Sequence, residues 1–379
     1  MERKRIYLSS PTMHGEEQAF VQSAFDTNWV APLGPNVDAF EKEMADYIGG
    51  GYAAALSAGT AAIHLAVILA GVKEGDVVFA QSLTFAASVN PACYEEAKPV
   101  FIDSEPDTWN MDPVALEKAF EKYPHPAAVI AVHLYGTPSK IDRIRDICKK
   151  HQVPLIEDAA EALGSSFQGQ KLGTFGDYGI LSFNGNKIIT SSGGGMLLCS
   201  DEAKIKRARF LATQARDPAR YYQHSTIGYN YRMSNVVAGI GRGQLLHLEE
   251  HKARKNEIYR QYKEAFADIE AITMNPMNPM NPDGDANNWL SCMTIAPDCS
   301  VTPDQVMDVL AEYNIETRPI WKPMHLQPVF ADCDFIQVKE GRSVSEDIFN
   351  RGVCLPSDIK NTPEDMELII SLIRKVFEK

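Results

Sequence analysis

No apolar stretch of this 379-residue chain approaches the ~20 residues that a helix needs to cross a bilayer. Its first residues, Met1-Glu-Arg-Lys-Arg-Ile-Tyr-Leu-Ser-Ser-Pro11, are basic but have no apolar h-region behind them. They do not read as a signal peptide, so the expected location is the cytoplasm. Positive charge is scarce as well. Against 50 Asp and Glu stand 37 Lys and Arg, a formal charge of −13, which argues against nucleic acid or an anionic membrane as the main partner. A phosphorylated ligand must then be held by local donors, because the overall field opposes it. Cys-x-x-Cys is missing: the seven cysteines (93, 148, 199, 292, 299, 333, 354) are scattered and odd in number. That points to reduced thiols, with neither a disulfide framework nor a metal site expected. Also missing is Gly-x-Gly-x-x-Gly between a strand and a helix. Gly193-Gly-Gly195 lacks that spacing, which counts against a dehydrogenase-like nucleotide binder.

What is present is an ordinary globular balance, 45% hydrophobic and 23% charged, on a chain long enough for two domains. The expected division is a large domain over residues 1–245, N-terminal arm included, and a smaller α+β domain over 246–379. From about residue 50 to 200, apolar runs alternate with helical segments. The helix candidate Gly59–Ala70 is followed by strand candidates at Asp76–Ala80, Pro99–Asp103, Ala127–Tyr135, Val153–Glu157 and Tyr178–Phe183. Runs this apolar predict an α/β fold with a mostly parallel sheet covered on both faces, and ligands bound at the carboxyl ends of its strands. A long helix is expected from about Val236 to Ala267, and an exposed loop over the Met274–Pro282 repeat, whose prolines preclude helix. Beyond it, a strand over Trp289–Ile295, a helix over Pro303–Tyr313 and a final helix over Pro363–Glu378 are expected.

Two residues at strand ends carry the chemistry. Asp158 closes the run Val153-Pro-Leu-Ile-Glu-Asp158, and Lys187 lies just past Tyr178–Phe183, before Ser191-Ser-Gly-Gly-Gly195. A buried carboxylate can hold a pyridine nitrogen protonated, and a lysine can form a Schiff base with an aldehyde. Those are the protein groups that pyridoxal phosphate requires. Each has a plainer reading, Asp158 as a helix N-cap and Lys187 as a surface lysine; the pair together favours the cofactor. Ser57-Ala-Gly-Thr60 opens a helix and suits a phosphate, as it would an ordinary capping turn. Ser182 is placed to reach the same phosphate, and Phe85 is a stacking ring or a core residue.

These residues sit in an ordered set of motifs. Ser57-Ala-Gly-Thr-Ala-Ala-Ile-His-Leu-Ala66, Thr84-Phe-Ala-Ala-Ser88, Glu157-Asp-Ala-Ala-Glu161, Gly173-Thr-Phe-Gly-Asp177, Ser182-Phe-Asn-Gly-Asn-Lys187 and Gly228-Tyr-Asn-Tyr-Arg-Met-Ser-Asn235 follow one another. Together they resemble the DegT/DnrJ/EryC1/StrS sugar aminotransferases over essentially the whole chain. The resemblance implies a fold type I, aspartate-aminotransferase-like homodimer with active sites at the subunit interface. It makes Lys187 the Schiff-base lysine, Asp158 the partner of the ring nitrogen and Phe85 the stacking ring. Gly59, Thr60 and Ser182 become the phosphate cup, completed by Asn230 of the other subunit. Glu161, where many members carry Gln or His, resembles the enzymes of 4-amino-4,6-dideoxy sugars, such as the bacillosamine-pathway aminotransferase and perosamine synthase. Glu161 can bond the ring hydroxyl of the cofactor only by sharing a proton. Ala212–Asp217 and Arg318-Pro-Ile-Trp-Lys-Pro-Met-His325 look most like the bacillosamine-pathway type. Arg318, Trp321 and His325 then line the nucleotide-sugar side, or else form a strand end packed between the domains. The implied reaction moves an amino group from L-glutamate to C4 of a UDP-linked 4-keto-6-deoxy sugar. Sugar 3-aminotransferases remain an alternative; Lys187 speaks against the 3-dehydratase branch and against a non-catalytic regulator.

Overall fold

The computed structural model describes residues 4–276 and 285–378. The first half of the chain carries strands β1 (Tyr52–Leu56), β2 (Val77–Gln81), β3 (Lys98–Ile102), β4 (Ala128–Val132) and β5 (Leu155–Asp158). A two-residue ribbon, β6 (Ser166–Phe167) and β7 (Gln170–Lys171), leads to β8 (Tyr178–Ser182) and β9 (Gly195–Cys199). Later come β10 (Ile272–Met274), β11 (Ser291–Ile295), β12 (Arg318–Pro319), β13 (Phe335–Ile336) and β14 (Gly352–Leu355). The expected strands at β2, β3, β4, β5, β8 and β11 are all present, displaced by at most two residues at either end except that β4 stops at Val132, three residues short of the expected Tyr135.

An eight-stranded sheet, in the order β1-β9-β8-β5-β4-β2-β3-β13, forms the centre. From β8 to β13 every pairing is parallel, whereas β9 runs antiparallel to both β8 and β1. All five residues of β4 are buried, as a strand covered on both faces requires. β13 comes from the C-terminal third and forms the edge of the sheet beside β3, Phe335 opposite Phe101.

Twelve helices surround the sheets among the described residues: α1 (Glu16–Asp26), α2 (Pro35–Tyr47), α3 (Gly59–Leu69), α4 (Asn90–Tyr94), α5 (Pro113–Lys122), α6 (Ile141–His151), α7 (Glu202–Ala212), α8 (Asn235–Leu245), α9 (Leu248–Ala265), α10 (Pro303–Glu312), α11 (Val344–Arg351) and α12 (Pro363–Phe377). One face of the large sheet packs with Phe40, Leu116 and Ile144 from α2, α5 and α6. The other packs with Ile63 and Leu65 of α3 and Ile205 and Leu211 of α7. A second sheet, β10-β11-β14-β12, is antiparallel and carries its own core with Ile258, Leu310 and Ile369 from α9, α10 and α12; Ile6 from the N-terminal arm joins it.

Two expectations need correction. The long helix over Val236–Ala267 is two helices, because the chain turns at Leu246–His247 between α8 and α9. There His247 stacks on His14 at 3.7 Å and bonds Glu16 at 3.2 Å, a tertiary anchor that no local breaker residue announces. The Met274–Pro282 tract does not begin as an exposed loop. Met274 ends β10 and Asn275 is buried, its side-chain oxygen accepting from Cys292 N at 2.8 Å; residues 277–282 lie outside the described residues.

The topology places the site. From β2 the sheet extends to β3 on one side and to β4 and β5 on the other, so the strand order reverses beside the carboxyl end of β2. Ligands of open α/β sheets bind in such a crevice. The segments leaving β2, β4, β5 and β8 all open onto it.

Candidate active site

Asp158 is the last residue of β5, opposite Val132 of β4 and Ile180 of β8. Only 5% of it is exposed, and both carboxylate oxygens are used. One accepts the Ser88 hydroxyl at 2.6 Å, the other the Ala160 N–H at 3.1 Å. No helix follows β5 directly, so the N-cap reading of Asp158 fails and its carboxylate points instead into a cavity of about 500 Å³. Ser88 is steadied in turn by Thr84, hydroxyl to hydroxyl at 2.8 Å.

Lys187 lines the same cavity with its side chain 14% exposed, so the surface reading fails too. Its Nζ lies 3.6 Å from Glu161 Oε1 and 4.1 Å above the centre of the Trp289 ring. Glu161 is held through the backbone N–H of Tyr135 at 2.8 Å and the indole N–H of Trp321 at 3.3 Å. Burial pushes the Glu161 carboxyl above its usual range, an effect that the nearby Lys187 only partly opposes. Tyr135 adopts φ +54, left-handed backbone that is rare for a residue with a bulky side chain. The next residue, Gly136, approaches Asn287 so closely that a Cβ there would lie 1.9 Å from Asn287 Oδ1.

At the far end of the cavity, α3 starts at Gly59 behind Ala58, which has no side chain able to cap it. The first N–H groups of the helix therefore lack a side-chain acceptor, and the Thr60 and Ser182 hydroxyls line the same wall. Close approach is built in: a Cβ on Gly59 would meet Ser182 Cβ at 3.2 Å. A phosphate suits this end, since helix N-termini and hydroxyls supply donors without requiring net positive charge. A buried carboxylate, a lysine and a donor-rich helix start thus line one cavity, the groups that suit pyridoxal phosphate.

Phe85 lines this cavity and is 53% exposed, so it is not a core residue; its ring lies 5.2 Å from that of Trp321, tilted by 46°. Thr84, Phe85, Asn186, Trp289 and Trp321 also line a larger cavity of about 890 Å³, so the two spaces adjoin across these side chains. Arg318 and Lys322 stand on its wall. The Arg318 guanidinium, largely exposed, pairs with Glu316 at 2.8 Å.

Two residues do not join them. His325 lines neither cavity: its Nδ1 shares a hydrogen bond with Ser82 at 2.6 Å, its Nε2 lies 3.2 Å from Glu346, and its ring stacks on Phe335 at 3.6 Å. These contacts pin the Trp321 segment to the end of β2, which matches the packing reading rather than the ligand reading. Asn230 is exposed and also lies outside both cavities of its own chain. Conversely, Trp289, Ser88 and Tyr135 were not singled out from sequence. Trp289 reads there as the start of a strand, and only the tertiary fold brings it under Lys187.

Comparison with known proteins agrees with this arrangement. The sequence profile of the DegT/DnrJ/EryC1/StrS aminotransferase family matches residues 11–374. The EpsN protein of Bacillus subtilis (strain 168), provisionally named a pyridoxal phosphate-dependent aminotransferase, is 50% identical over 378 residues, spanning 99% of this chain and 96% of its own. A GDP-perosamine synthase of Caulobacter vibrioides is 35% identical over 372 residues, 98% of each chain. The solved structure of the aminotransferase TlmJ from Streptoalloteichus hindustanus superimposes with a TM-score of 0.88 at 27% identity, covering 99% of both chains. With the motif order, the site and these likenesses in agreement, the chain belongs to the DegT/DnrJ/EryC1/StrS aminotransferase family.

Proposed function

We propose that this pyridoxal phosphate-dependent aminotransferase moves the amino group of L-glutamate to C4 of a UDP-linked 4-keto-6-deoxy sugar. The observation that carries the proposal is the adjacency of two cavities with a shared wall: one lined by Asp158 and Lys187, the other roomy enough for a nucleotide sugar and bearing Arg318 and Lys322. The acidic Glu161 and the segments around Ala212–Asp217 and Arg318–His325 support the 4-amino, UDP-linked reading by resemblance. A second reading, a GDP-linked sugar, is favoured by the relative named GDP-perosamine synthase.

Pyridoxal phosphate, when bound, would supply the electron sink that makes the donor Cα–H labile and would carry the amino group to the keto carbon of the sugar. Asp158, fixed by Ser88 and Ala160, would hold the ring nitrogen of the bound cofactor and favour its protonated form. Lys187 Nζ takes the proton from the donor Cα in the first half-reaction and delivers one to C4 of the sugar in the second. Glu161, its carboxyl raised by burial, would share a proton with the ring hydroxyl of the bound cofactor. Gly59, Thr60 and Ser182 hold the phosphate, and Asn230 completes that cup in the opposite subunit of a homodimer. The balance is one glutamate and one keto sugar consumed, one 2-oxoglutarate and one amino sugar formed, with ping-pong kinetics.

The test is incubation with ¹⁵N-glutamate and a panel of UDP-, GDP- and dTDP-linked 4-keto-6-deoxy sugars, followed by NMR of the product. Nitrogen on C4 of the UDP sugar is expected. Transfer only to the GDP sugar would establish the second reading, while nitrogen on C3, or no transfer at all, would contradict both.

A further inference from the structure

Helix α9 runs behind the loop that carries Lys187 and presents two buried polar side chains to it, His251 and Lys255. Four residues apart, they share one face of the helix. His251 Nδ1 donates to the carbonyl of Ile188, the residue after Lys187, at 2.8 Å. Lys255 Nζ donates to Ser9 Oγ at 3.0 Å and to the Trp289 carbonyl at 2.9 Å. Ser9 passes the contact on, its hydroxyl donating to the carbonyl of Asn186, the residue before Lys187, at 3.0 Å. That same carbonyl accepts the Trp289 indole N–H at 2.7 Å, and the face of that indole lies under Lys187 Nζ.

We propose that His251 and Lys255 are positioning residues for Lys187, a two-point clamp that holds the carbonyls of its two neighbours, Asn186 and Ile188, and so sets the arc through which Nζ carries its proton. Three observations converge on this role. The carbonyls of Asn186 and Ile188, the residues before and after the working lysine, are both held from one helix face, one through Ser9 and Trp289 and one directly. Lys255 is bonded to a hydroxyl and a carbonyl, an arrangement that orients neighbours rather than neutralising a charge. Burial lowers its amine to about 7, yet an amine keeps two N–H donors and an ammonium three, so both contacts survive in either state. Proton transfer is steep in geometry, and a displacement of about 1 Å can cost on the order of a hundredfold in rate.

The test uses Lys255→Met holoenzyme, which keeps volume and loses the donors. The donor half-reaction is followed in single turnover by the absorbance of the cofactor, with L-glutamate and its α-deuterated form. The rate is expected to fall by about tenfold, with cofactor affinity and half-saturating donor concentration unchanged. The primary isotope effect should rise, because proton carriage has become the slower step; a purely structural defect would not raise it. An unchanged rate and isotope effect would overturn the proposal, as would a rate loss accounted for by lost cofactor. Ser9→Ala keeps the Lys255–Trp289 bond and cuts only the bridge to Asn186. It should show a smaller change of the same kind, and it decides the matter alone if Lys255→Met does not fold. Should the wild type fail with glutamate, the proposed donor is wrong; the clamp is then tested with the donor that the wild type accepts.

Discussion

Glu161 faces two directions at once, toward the Lys187 ammonium at 3.6 Å and toward the Tyr135 and Trp321 N–H groups that hold it. Its burial raises the carboxyl above the ordinary value of 4.5, so the native chain binds this proton more tightly than the unfolded chain. Stability from this group is therefore full below 4.5 and is lost as pH rises through the native value. Glu161→Gln cannot titrate, so in the cofactor-free protein it should gain on the wild type between about pH 5 and pH 8. Urea midpoints at both pH values check this; a difference that does not change with pH would contradict it. Residues of this kind were legible where chemistry follows from a strand end. Asp158, Glu161, Ser182 and Lys187 all sit within six residues of the close of β5 or β8. Trp289 was not legible, because its role arises from a contact between segments a hundred residues apart. His325 shows the converse: the type suggests a ligand, but Ser82, Glu346 and Phe335 occupy its whole ring.

At the scale of elements, the phosphate end depends on how closely β9 approaches α3. A Cβ on Gly195 would lie 2.4 Å from both Ala58 C and Gly59 N, which are backbone atoms that cannot rotate away. Gly195→Ala should therefore push the start of α3 out of place and weaken pyridoxal phosphate binding by about tenfold or more; equilibrium titration of the visible band measures it. By contrast, Thr362 caps α12 through a reciprocal capping box with Asp365, far from the cavity. Thr362→Ala should cost about 1 kcal/mol of stability in urea unfolding and leave activity of the folded enzyme unchanged. Apolar runs made β2 to β5 and β8 readable. β1 escaped because Tyr-Ala-Ala-Ala-Leu has little strand preference of its own and is fixed by pairing with β9, Ala54 opposite Leu197. The turn between α8 and α9 escaped for a related reason, since His14 and Glu16 anchor it from another part of the chain.

Across the whole molecule, several large apolar side chains stand in the open: Phe25, Trp29, Val30, Leu33, Tyr221, Tyr222 and Ile227. An exposed set of this kind suits a surface that another copy covers. It agrees with the proposed homodimer in which Asn230 serves the opposite site. If that is so, a Lys187→Ala chain and an Asn230→Ala chain are defective in different sites of a mixed dimer. Refolded together, they should regain up to about a quarter of wild-type activity, because half of the dimers are mixed and each mixed dimer has one intact site. Two inactive homodimers with no gain on mixing would show that the site is complete within one chain. The proposed boundary near residue 245 also belongs to this scale: the chain beyond it builds the smaller sheet but returns to the large one as β13, while Ile6 from the arm joins the smaller core.

Lys187 is the proposed tether of the cofactor. Reduction of the holoenzyme with borohydride, digestion and mass mapping of the pyridoxyl label test it most directly. The label is expected on the peptide containing Lys187 and nowhere else. A label on another lysine, Lys255 included, or none on a protein that binds the cofactor, would contradict the assignment of the site.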